Sequence, residues 1–337
     1  MNTSHSLQIT VIYNPEDKTQ AEEIAVTDEG IEQTAETIAD SLRLCGYETQ
    51  TYAVSEKNLY YLKHKKTDAF FNVCEGADIQ MKVIKQLEKY GKVFTGPGPQ
   101  VMKLTTNKIA SKKVFENIGI STPKWQFFVT GKEKIDPDLH FPLIVKPTNE
   151  DCSIGITQGS IALNEESLYE QIQRVCETYK HGALVEEFIL GRELHCTVVG
   201  NGDEAVALPL AELQFTDGHT DDQFIFDYEA KWIESSPRNN YTFISPAPSV
   251  DDSITRIIQS EAKRAFLALN MKDYARFDIR YNIESKMWYF LEANANPSIQ
   301  NATNEATTIS ANASGMRYHE FIQSIVESCT QRHLCQV

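Results

Sequence analysis

Two short segments in the last quarter of the sequence carry the residues with the clearest chemical potential. The first is Arg276-Phe-Asp278, and Glu292-Ala-Asn294 ends the next apolar stretch. Because side chains alternate along a strand, Arg276 and Asp278 share one face, and so do Glu292 and Asn294. If the strands pair, two carboxylates and an amide oxygen meet beside an arginine. Hard oxygen ligands of this kind suit Mg²⁺ held against phosphates. An ordinary salt bridge on a solvated pair of strands is the simpler alternative.

A lysine and a polar loop form a second candidate. Lys146 ends the apolar stretch FPLIVK, and a buried ammonium needs either a phosphate or a carboxylate as its partner. The loop that follows, 149–155, contains Ser153, Gly155 and consecutive backbone amides, which together can cradle a phosphate. A simple connecting loop would have the same composition.

Three glutamates, Glu186, Glu187 and Glu193, bracket the apolar and turn residues 188–192. A strand end of this type can hold an adenine through backbone hydrogen bonds and a ribose through one glutamate. Without further context, the segment equally fits a strand end with exposed charges.

Taken together and in this order, the segments resemble the D-alanine–D-alanine ligase branch of the ATP-grasp superfamily. The resemblance extends from about Val93 to Gln300, at spacings compatible with that family. The segments that carry it are FTGPGPQVMKLTTNKIASKKVFENIGISTPKW, PLIVKPTNEDCSIGI, ALVEEFILGRELHCTVV, FDYEAKW and ARFDIRYN with WYFLEANANPSIQ.

The resemblance implies a role for each matching position. The positions implied for ATP binding are Lys108, Lys146, Ser153, Gly155, Glu186, Glu187, Phe188, Ile189, Glu193 and Lys231. Two Mg²⁺ ions would be held by Asp278, Glu292 and Asn294. The catalytic positions are Arg276 at the oxyanion, Lys231 at the transferred phosphate, and Ser153 in the lid.

The activity implied is that of an ATP-dependent ligase that joins a carboxylate to an amine and releases ADP and phosphate. A carboxylate is a poor electrophile, and transfer of the γ-phosphoryl group converts it to an acyl phosphate with a good leaving group. Cationic groups then stabilise the oxyanion that forms when the amine attacks. The substrates would be amino-acid-like small molecules.

Three departures from the family pattern all lie where the family binds its amino acids. The glycine-rich loop after the first strand is replaced by residues 13–17, the His-Gly segment by 72–76, and Pro-Gly-Met-Thr by 297–300. We therefore expect substrates beyond D-alanine. Glu16, Glu75 and Ser298 are the substrate candidates in these segments, and either glutamate could bind an ammonium or simply lie on the surface.

A fourth difference concerns the lid. In the family, a serine in the lid and a tyrosine after the loop lysine are joined by a hydrogen bond, and the matching residues here are Cys152 and Trp232. A bond between two hydroxyls cannot form, since an indole offers one N–H and no acceptor. The sequence thus predicts a more apolar substrate pocket, unless both side chains simply pack against the loop.

Two other functions fit the same motifs. One is a divergent D-alanine–D-alanine ligase of peptidoglycan synthesis. The other is a non-catalytic ATP-binding pseudo-ligase, which the complete set Arg276, Asp278, Glu292 and Asn294 disfavours.

The elements that must position these residues follow an α/β pattern. Strands and helices alternate over roughly the first hundred residues, which predicts a parallel sheet. The later part of the sequence predicts a strand at 141–146 and a hairpin around 200–203. It also predicts a long polar loop at 214–240, followed by strands at 274–281 and 287–293. We expect an ATP-grasp fold of three lobes: an N-terminal α/β domain (1–105), a central lobe (106–192) and a C-terminal lobe (193–337).

Composition narrows the class of partner. The 337 residues carry a formal net charge of −15, which argues against nucleic acid or an anionic membrane as partner. The sequence shows no secretory signal and no apolar run approaching membrane-helix length. The 7 cysteines are scattered without a CxxC pair, as expected for reduced thiols in a cytoplasmic protein. The resemblance suggests a homodimer.

Overall fold

The computed structural model describes residues 6–15, 30–216 and 225–334. Its first part is a parallel sheet of β1 (Gln8–Tyr13), β2 (Glu48–Ala53) and β3 (Ala69–Asn72), in the order β2-β1-β3. Helix α1 (Ile31–Leu44) lies between β1 and β2, and α2 (Ala77–Lys89) follows β3. The buried side chains of α1 recur at helical spacing, which gives it one apolar face toward the sheet. The parallel α/β arrangement expected for this part is confirmed.

A short helix pair leads to an antiparallel sheet. Asn107 ends α3 (Pro99–Thr106) and caps α4 (Lys108–Asn117) by accepting a hydrogen bond from the backbone N–H of Ala110. The sheet contains β4 (Trp125–Phe128), β5 (Leu143–Pro147), β6 (Ile161–Ala162) and β7 (Ala183–Glu187), in the order β4-β7-β5-β6. Helix α5 (Glu165–Thr178) buries Leu168, Ile172 and Val175 against it.

The remaining strands form a larger antiparallel sheet. They are β8 (Arg192–Val199), β9 (Val206–Ala207), β10 (Ala211–Phe215), β11 (Tyr241–Ile244), β12 (Tyr274–Asn282) and β13 (Met287–Asn294). The order is β11-β10-β8-β12-β13, and β9 pairs with β8 at the predicted hairpin. The helices are α6 (Tyr228–Trp232), α7 (Asp252–Ala268), α8 (Ala306–Ala313) and α9 (Tyr318–Leu334).

The structure adds elements that the sequence patterns did not predict. They are α2, α3, α6, α8, β4, β6, β10 and β11. The predicted polar loop at 214–240 is shorter than expected, because β10 extends to Phe215 and α6 occupies Tyr228–Trp232, while residues 217–224 lie outside the described part. Across the described ranges, no helix is both long and apolar enough to cross a membrane.

Candidate active site

A cleft lies between the four-stranded antiparallel sheet and the larger sheet. Strands β5 and β7 form one wall, and β8, β12 and β13 form the other. The residues lining the cleft are Ile144, Lys146, Ser153, Ile156, Glu186, Glu187, Phe188, Ile189, Glu193, Ile225, Phe226, Lys231, Asp278, Arg280, Leu291 and Glu292. The structure thus brings together most of the residues that the sequence analysis assigned to ATP and metal.

One part of the cleft is an apolar slot. Ile144, Phe188 and Ile225 are buried there in a single cluster, with Ile156 and Ile161 packed against it. The guanidinium of Arg280 lies 5.3 Å from the centre of the Phe188 ring. A slot with aliphatic walls and one aromatic wall is suited to a flat heterocycle such as a purine.

Beneath the slot, two lysines share one buried carboxylate. Glu186 is 1% exposed, and its oxygens lie 2.6 Å from Lys112 Nζ and 2.7 Å from Lys146 Nζ. Burial by itself would raise the pKa of Glu186, but the charges of the two lysines outweigh it and lower that pKa. Glu186 therefore acts as the counter-ion that holds Lys146 at the cleft wall. Lys112 was missed by sequence reasoning, although its i,i+4 spacing from Lys108 on α4 was a usable signal.

Lys108 lies at the start of α4, where it reaches the other wall. Its Nζ is 3.3 Å from Glu292 and donates to the backbone carbonyl of Glu150. Only 5% of its side chain is exposed. This lysine therefore connects the loop 149–155, named the lid loop from here on, to the carboxylate on β13.

The expected convergence on β12 and β13 is present. The register pairs Asp278 with Glu292 and Arg276 with Asn294. Arg276 donates to both oxygens of Asp278, at 2.7 and 3.0 Å, and Asn294 Nδ2 donates to Asp278 at 3.1 Å. Burial alone would raise the pKa of Asp278, but Arg276 lowers it well below its usual range, so the carboxylate stays charged.

His195 was not predicted from the sequence. It lies opposite Asp278 in the pairing of β8 with β12 and is 2% exposed. Its Nε2 is 3.4 Å from Glu193 and 3.9 Å from Asp278. Burial raises the pKa of Glu193, but the hydrogen bond with His195 and the charge of Arg280 lower it to about 2. A buried histidine inside a strand pattern gave no signal that it would contact two carboxylates.

The lid loop is joined to the segment after residue 224 by hydrogen bonds. Ser153 Oγ donates to the carbonyl of Phe226, and Trp232 Nε1 donates to the carbonyl of Cys152 at 2.9 Å. Cys152 and Ser153 have φ of 57° and 60°, a left-handed backbone that non-glycine residues rarely adopt. The bond between two hydroxyls is absent, as expected, but the indole N–H joins the same two positions through the backbone carbonyl of Cys152.

Gly155 and Lys231 complete the loop contacts. Gly155 has φ +75°, and a Cβ placed there would lie 2.6 Å from the Tyr179 ring, so the position requires glycine. It lies against α5 and is not among the cleft-lining residues. Lys231 lines the cleft, with its Nζ 4.6 Å from the centre of the Phe226 ring.

The substrate candidates are found in different places. Glu16 lies outside the described residues. The backbone N–H of Glu75 donates to Asn14 Oδ1, and the Glu75 charge acts on Cys152 and Tyr274. The Ser298 side chain hydrogen-bonds Glu305, a residue that the sequence analysis did not single out.

Comparison with known proteins identifies the class and the family. Residues 114–327 match the family model "D-ala D-ala ligase C-terminus". The chain is 29% identical to a D-alanine–D-alanine ligase of Bordetella petrii, over 86% of this chain and 84% of that protein. It is 28% identical to the protein y4sG of Sinorhizobium fredii, over 89% and 88%.

A solved structure agrees on the fold. The D-alanine–D-alanine ligase from Bacillus anthracis, complexed with ATP, superposes with a TM-score of 0.75 at 21% identity, covering 98% of this chain and 100% of that one. The fold and the family match define an ATP-dependent ligase of the ATP-grasp class. The chain belongs to the D-alanine–D-alanine ligase family, which confirms the resemblance inferred from the sequence.

Proposed function

We propose that this protein uses Mg-ATP to join two amino-acid-like substrates through an acyl phosphate. The observation that carries the proposal is the cross-strand pairing of Asp278 with Glu292 beside Arg276, at the end of a cleft with an apolar slot and buried lysines. The proposed adenine site is the slot around Phe188 and Ile189, and Glu193 would hold the ribose. Glu187 lines the same wall and lies 3.1 Å from His140 Nδ1.

The charges in the cleft suit phosphoryl transfer. Lys146 is held at the wall by Glu186, and Lys108 and Lys231 approach from α4 and α6. These cations would neutralise the phosphate oxygens as the γ-phosphoryl group moves to the carboxylate of the first substrate. Ser153 and Gly155, in the lid loop, would cover the phosphates. Closure of that loop excludes the water that would hydrolyse an acyl phosphate.

Amide formation follows from the same arrangement. The amine attacks the acyl carbon, a C–N bond forms, the C–O bond to phosphate breaks, and the amine loses a proton. Arg276 would stabilise the oxyanion of the tetrahedral intermediate. Its two hydrogen bonds to Asp278 fix the guanidinium in place before the reaction begins.

The donor set fits Mg²⁺. Asp278 and Glu292 are opposed carboxylates, and Asn294 donates its amide nitrogen to Asp278, so its amide oxygen can serve as a third ligand. Oxygen-only ligands of this kind are those that Mg²⁺ prefers. Mg²⁺ bound by these residues would offset the negative charge of the ATP phosphates.

The test removes the metal ligands and measures ADP release. Asp278→Asn and Glu292→Gln should each lower turnover by at least about a hundredfold. Circular dichroism should stay near wild type in both variants, and so should the thermal midpoint of Glu292→Gln, whereas Asp278→Asn should also lower the thermal midpoint because it breaks the buried pair with Arg276. The matched control is Asp251→Asn, which alters an exposed carboxylate paired with Lys286 and should not change turnover. Near-normal turnover by Glu292→Gln at ordinary Mg²⁺ concentration would rule out the assignment.

Several coarser expectations accompany this proposal. We propose the lobe boundaries 1–105, 106–192 and 193–337, a cytoplasmic location and a homodimer. A true D-alanine–D-alanine ligase is the second candidate, favoured by the relative from Bordetella petrii. A screen of ADP release over pairs of D- and L-amino acids, with product masses, distinguishes it from an enzyme with other substrates.

A further inference from the structure

Arg280 places a positive charge beside the apolar slot of the cleft. Because side chains alternate along β12, Arg280 shares a face with Asp278, and both residues line the cleft. Arg280 is 3% exposed, and its guanidinium lies 5.3 Å from the centre of the Phe188 ring. The sequence analysis gave this arginine no role.

The guanidinium joins two segments that line the cleft. Its Nε donates to the carbonyl of Ile189 at 3.2 Å, and its Nη1 lies 3.6 Å from Oε2 of Glu193. Ile189 lies in the turn 188–191, whereas Glu193 is on β8, directly opposite Arg280 in the sheet. Arg280 therefore connects the turn that forms part of the proposed adenine site to the carboxylate proposed to bind the ribose.

The turn 188–191 is also the link between the two walls of the cleft, since it joins β7 of the four-stranded sheet to β8 of the large sheet. Asn282 Nδ2 donates to the carbonyl of Leu190 at 3.0 Å. A Cβ at Gly191 would lie 2.0 Å from the carbonyl oxygen of Tyr281. The turn is thus packed closely on β12, and Arg280 extends this contact into the cleft.

Both oxygens of Glu193 face a nitrogen of another side chain. His195 Nε2 lies 3.4 Å from Oε1, and Arg280 Nη1 faces Oε2. Burial raises the pKa of Glu193, but the hydrogen bond with His195 and the charge of Arg280 lower it to about 2, so the carboxylate is charged at neutral pH. A charged carboxylate only accepts hydrogen bonds. When it is held in one orientation, it is suited to accept from the two adjacent hydroxyls of a ribose.

Stability alone does not require an arginine at this position. A buried ion pair is often no more stabilising than apolar side chains of similar volume. The neighbouring slot is built from such side chains. What the pair of Arg280 with Glu193 adds is a fixed geometry at the point where base and ribose would meet.

We propose that Arg280 is a positioning residue, which holds Glu193 in the orientation that binds the ribose hydroxyls and so makes the enzyme select ribonucleotides over deoxyribonucleotides. It acts through Glu193 and Ile189. This inference rests on the proposed function, because it assumes that the cleft binds ATP, and it names a specificity determinant of that site.

The experiment measures nucleotide binding without turnover. Isothermal titration calorimetry gives Kd for Mg-ADP and for Mg-2′,3′-dideoxy-ADP, which lacks both ribose hydroxyls. The quantity compared is the ratio of the second Kd to the first. In wild type this ratio should be at least about ten, because hydrogen bonds to a charged acceptor are lost in the analogue.

Removing the guanidinium should abolish most of this discrimination. In Arg280→Met the ratio should fall below about three, chiefly because ADP binds more weakly. Arg280→Lys keeps the charge but lacks the planar fork that reaches Ile189 and Glu193 together, so its ratio should lie between those of wild type and Arg280→Met. Circular dichroism checks that each variant is folded. If Arg280→Met does not fold, Arg280→Lys decides, because its ratio must lie below that of wild type.

A double variant tests whether Arg280 acts through Glu193. Glu193→Gln should also lower the ratio below about three, and adding Arg280→Met to it should lower the ratio no further. The matched control is Arg264→Met, which changes an exposed arginine on α7 that donates to the carbonyl of Ile118 and should leave the ratio as in wild type.

The outcomes separate this inference from the ligase proposal. A ratio near one in wild type, a ratio in folded Arg280→Met or Arg280→Lys equal to that of wild type, or a further decrease in the double variant would overturn the role of Arg280. Equal weakening of both nucleotides would indicate a purely structural arginine and would overturn it as well. If neither nucleotide binds to wild type, the nucleotide site and this inference are both wrong. Absence of ADP release with every pair of amino acids, with the expected ratios intact, would refute only the ligase activity.

Discussion

At the scale of single residues, the cleft depends on buried charges that are held by opposite charges. Glu186 is shared by Lys112 and Lys146, Asp278 is bound by Arg276, and Glu193 is bound by His195 and Arg280. Each pairing fixes a charged side chain before a ligand arrives, which is the condition for electrostatic catalysis in a site that excludes water.

The pairing of Glu193 has a measurable effect on stability. Its pKa is lowered from 4.5 to about 2, so the charged form stabilises the fold above about pH 4.5 and this contribution is lost as the pH falls toward 2. Glu193→Gln should therefore be less stable than wild type at pH 7, and the difference should shrink by about 2 kcal/mol by pH 3. Urea unfolding at both pH values measures this, with Glu166→Gln as control; a difference independent of pH would contradict the prediction.

At the scale of elements, the lid loop and α6 act as one unit. The Ser153 hydroxyl donates to the carbonyl of Phe226, and the Trp232 indole donates to the carbonyl of Cys152. The backbone N–H of Tyr228 donates to the carbonyl of Ile156. Asp227 caps α6 and lies 3.0 Å from Arg238. The loop therefore keeps its left-handed residues, Cys152 and Ser153, because the facing segment holds them.

Removing one of these bonds should loosen the lid. Trp232→Phe keeps an aromatic ring but loses the N–H that donates to the carbonyl of Cys152. Because a hydrogen bond contributes about 1 kcal/mol, its loss should raise the KM for ATP about fivefold. Hydrolysis of ATP without amide formation should also increase, because water would reach the acyl phosphate. The matched control is Trp288→Phe, whose indole donates to Glu261 elsewhere on the molecule. Equal effects of the two variants on the ratio of ADP to amide would argue against the lid role.

At the scale of the whole molecule, one buried ion pair joins the first sheet to the large sheet. Arg332, on α9, donates to both oxygens of Asp273, which precedes β12, and to the carbonyls of Phe94 and Gly96. Asp273 is fully buried and accepts a further bond from the backbone N–H of Gly96. Phe94 in turn bridges to Phe70 on β3. This junction fixes the N-terminal sheet relative to the strand that carries Arg276 and Asp278.

Breaking this ion pair should lower the stability of the fold without changing the rate of the reaction. Arg332→Met leaves the buried charge of Asp273 without a cation. Breaking a buried ion pair in this way should lower the free energy of unfolding by about 3 kcal/mol. Denaturant unfolding should show the decrease, while kcat at a temperature well below the transition stays near wild type. Arg317→Met, which removes an exposed pair with Glu320 on the same helix, is the control and should change little. If Arg332→Met loses no more unfolding free energy than Arg317→Met, the pair is not essential to the junction.

The sequence by itself determined the family, the ATP-grasp class and the convergence of Arg276, Asp278, Glu292 and Asn294. These follow from local rules, because alternation along a strand and the pairing of consecutive strands place nearby residues on one face. The same reasoning located Lys146 at a strand end, and the hairpin around 200–203 is present.

Only the tertiary structure decided which distant residues meet. Packing between elements far apart in the sequence brings Lys112 to Glu186 and the indole of Trp232 to the carbonyl of Cys152. Helix α8 was missed because its residues, ATTISANA, are small and weakly patterned, and burial between the sheet and its neighbours stabilises it instead. A contact of this kind depends on the arrangement of whole elements, and no local pattern of residue types encodes it.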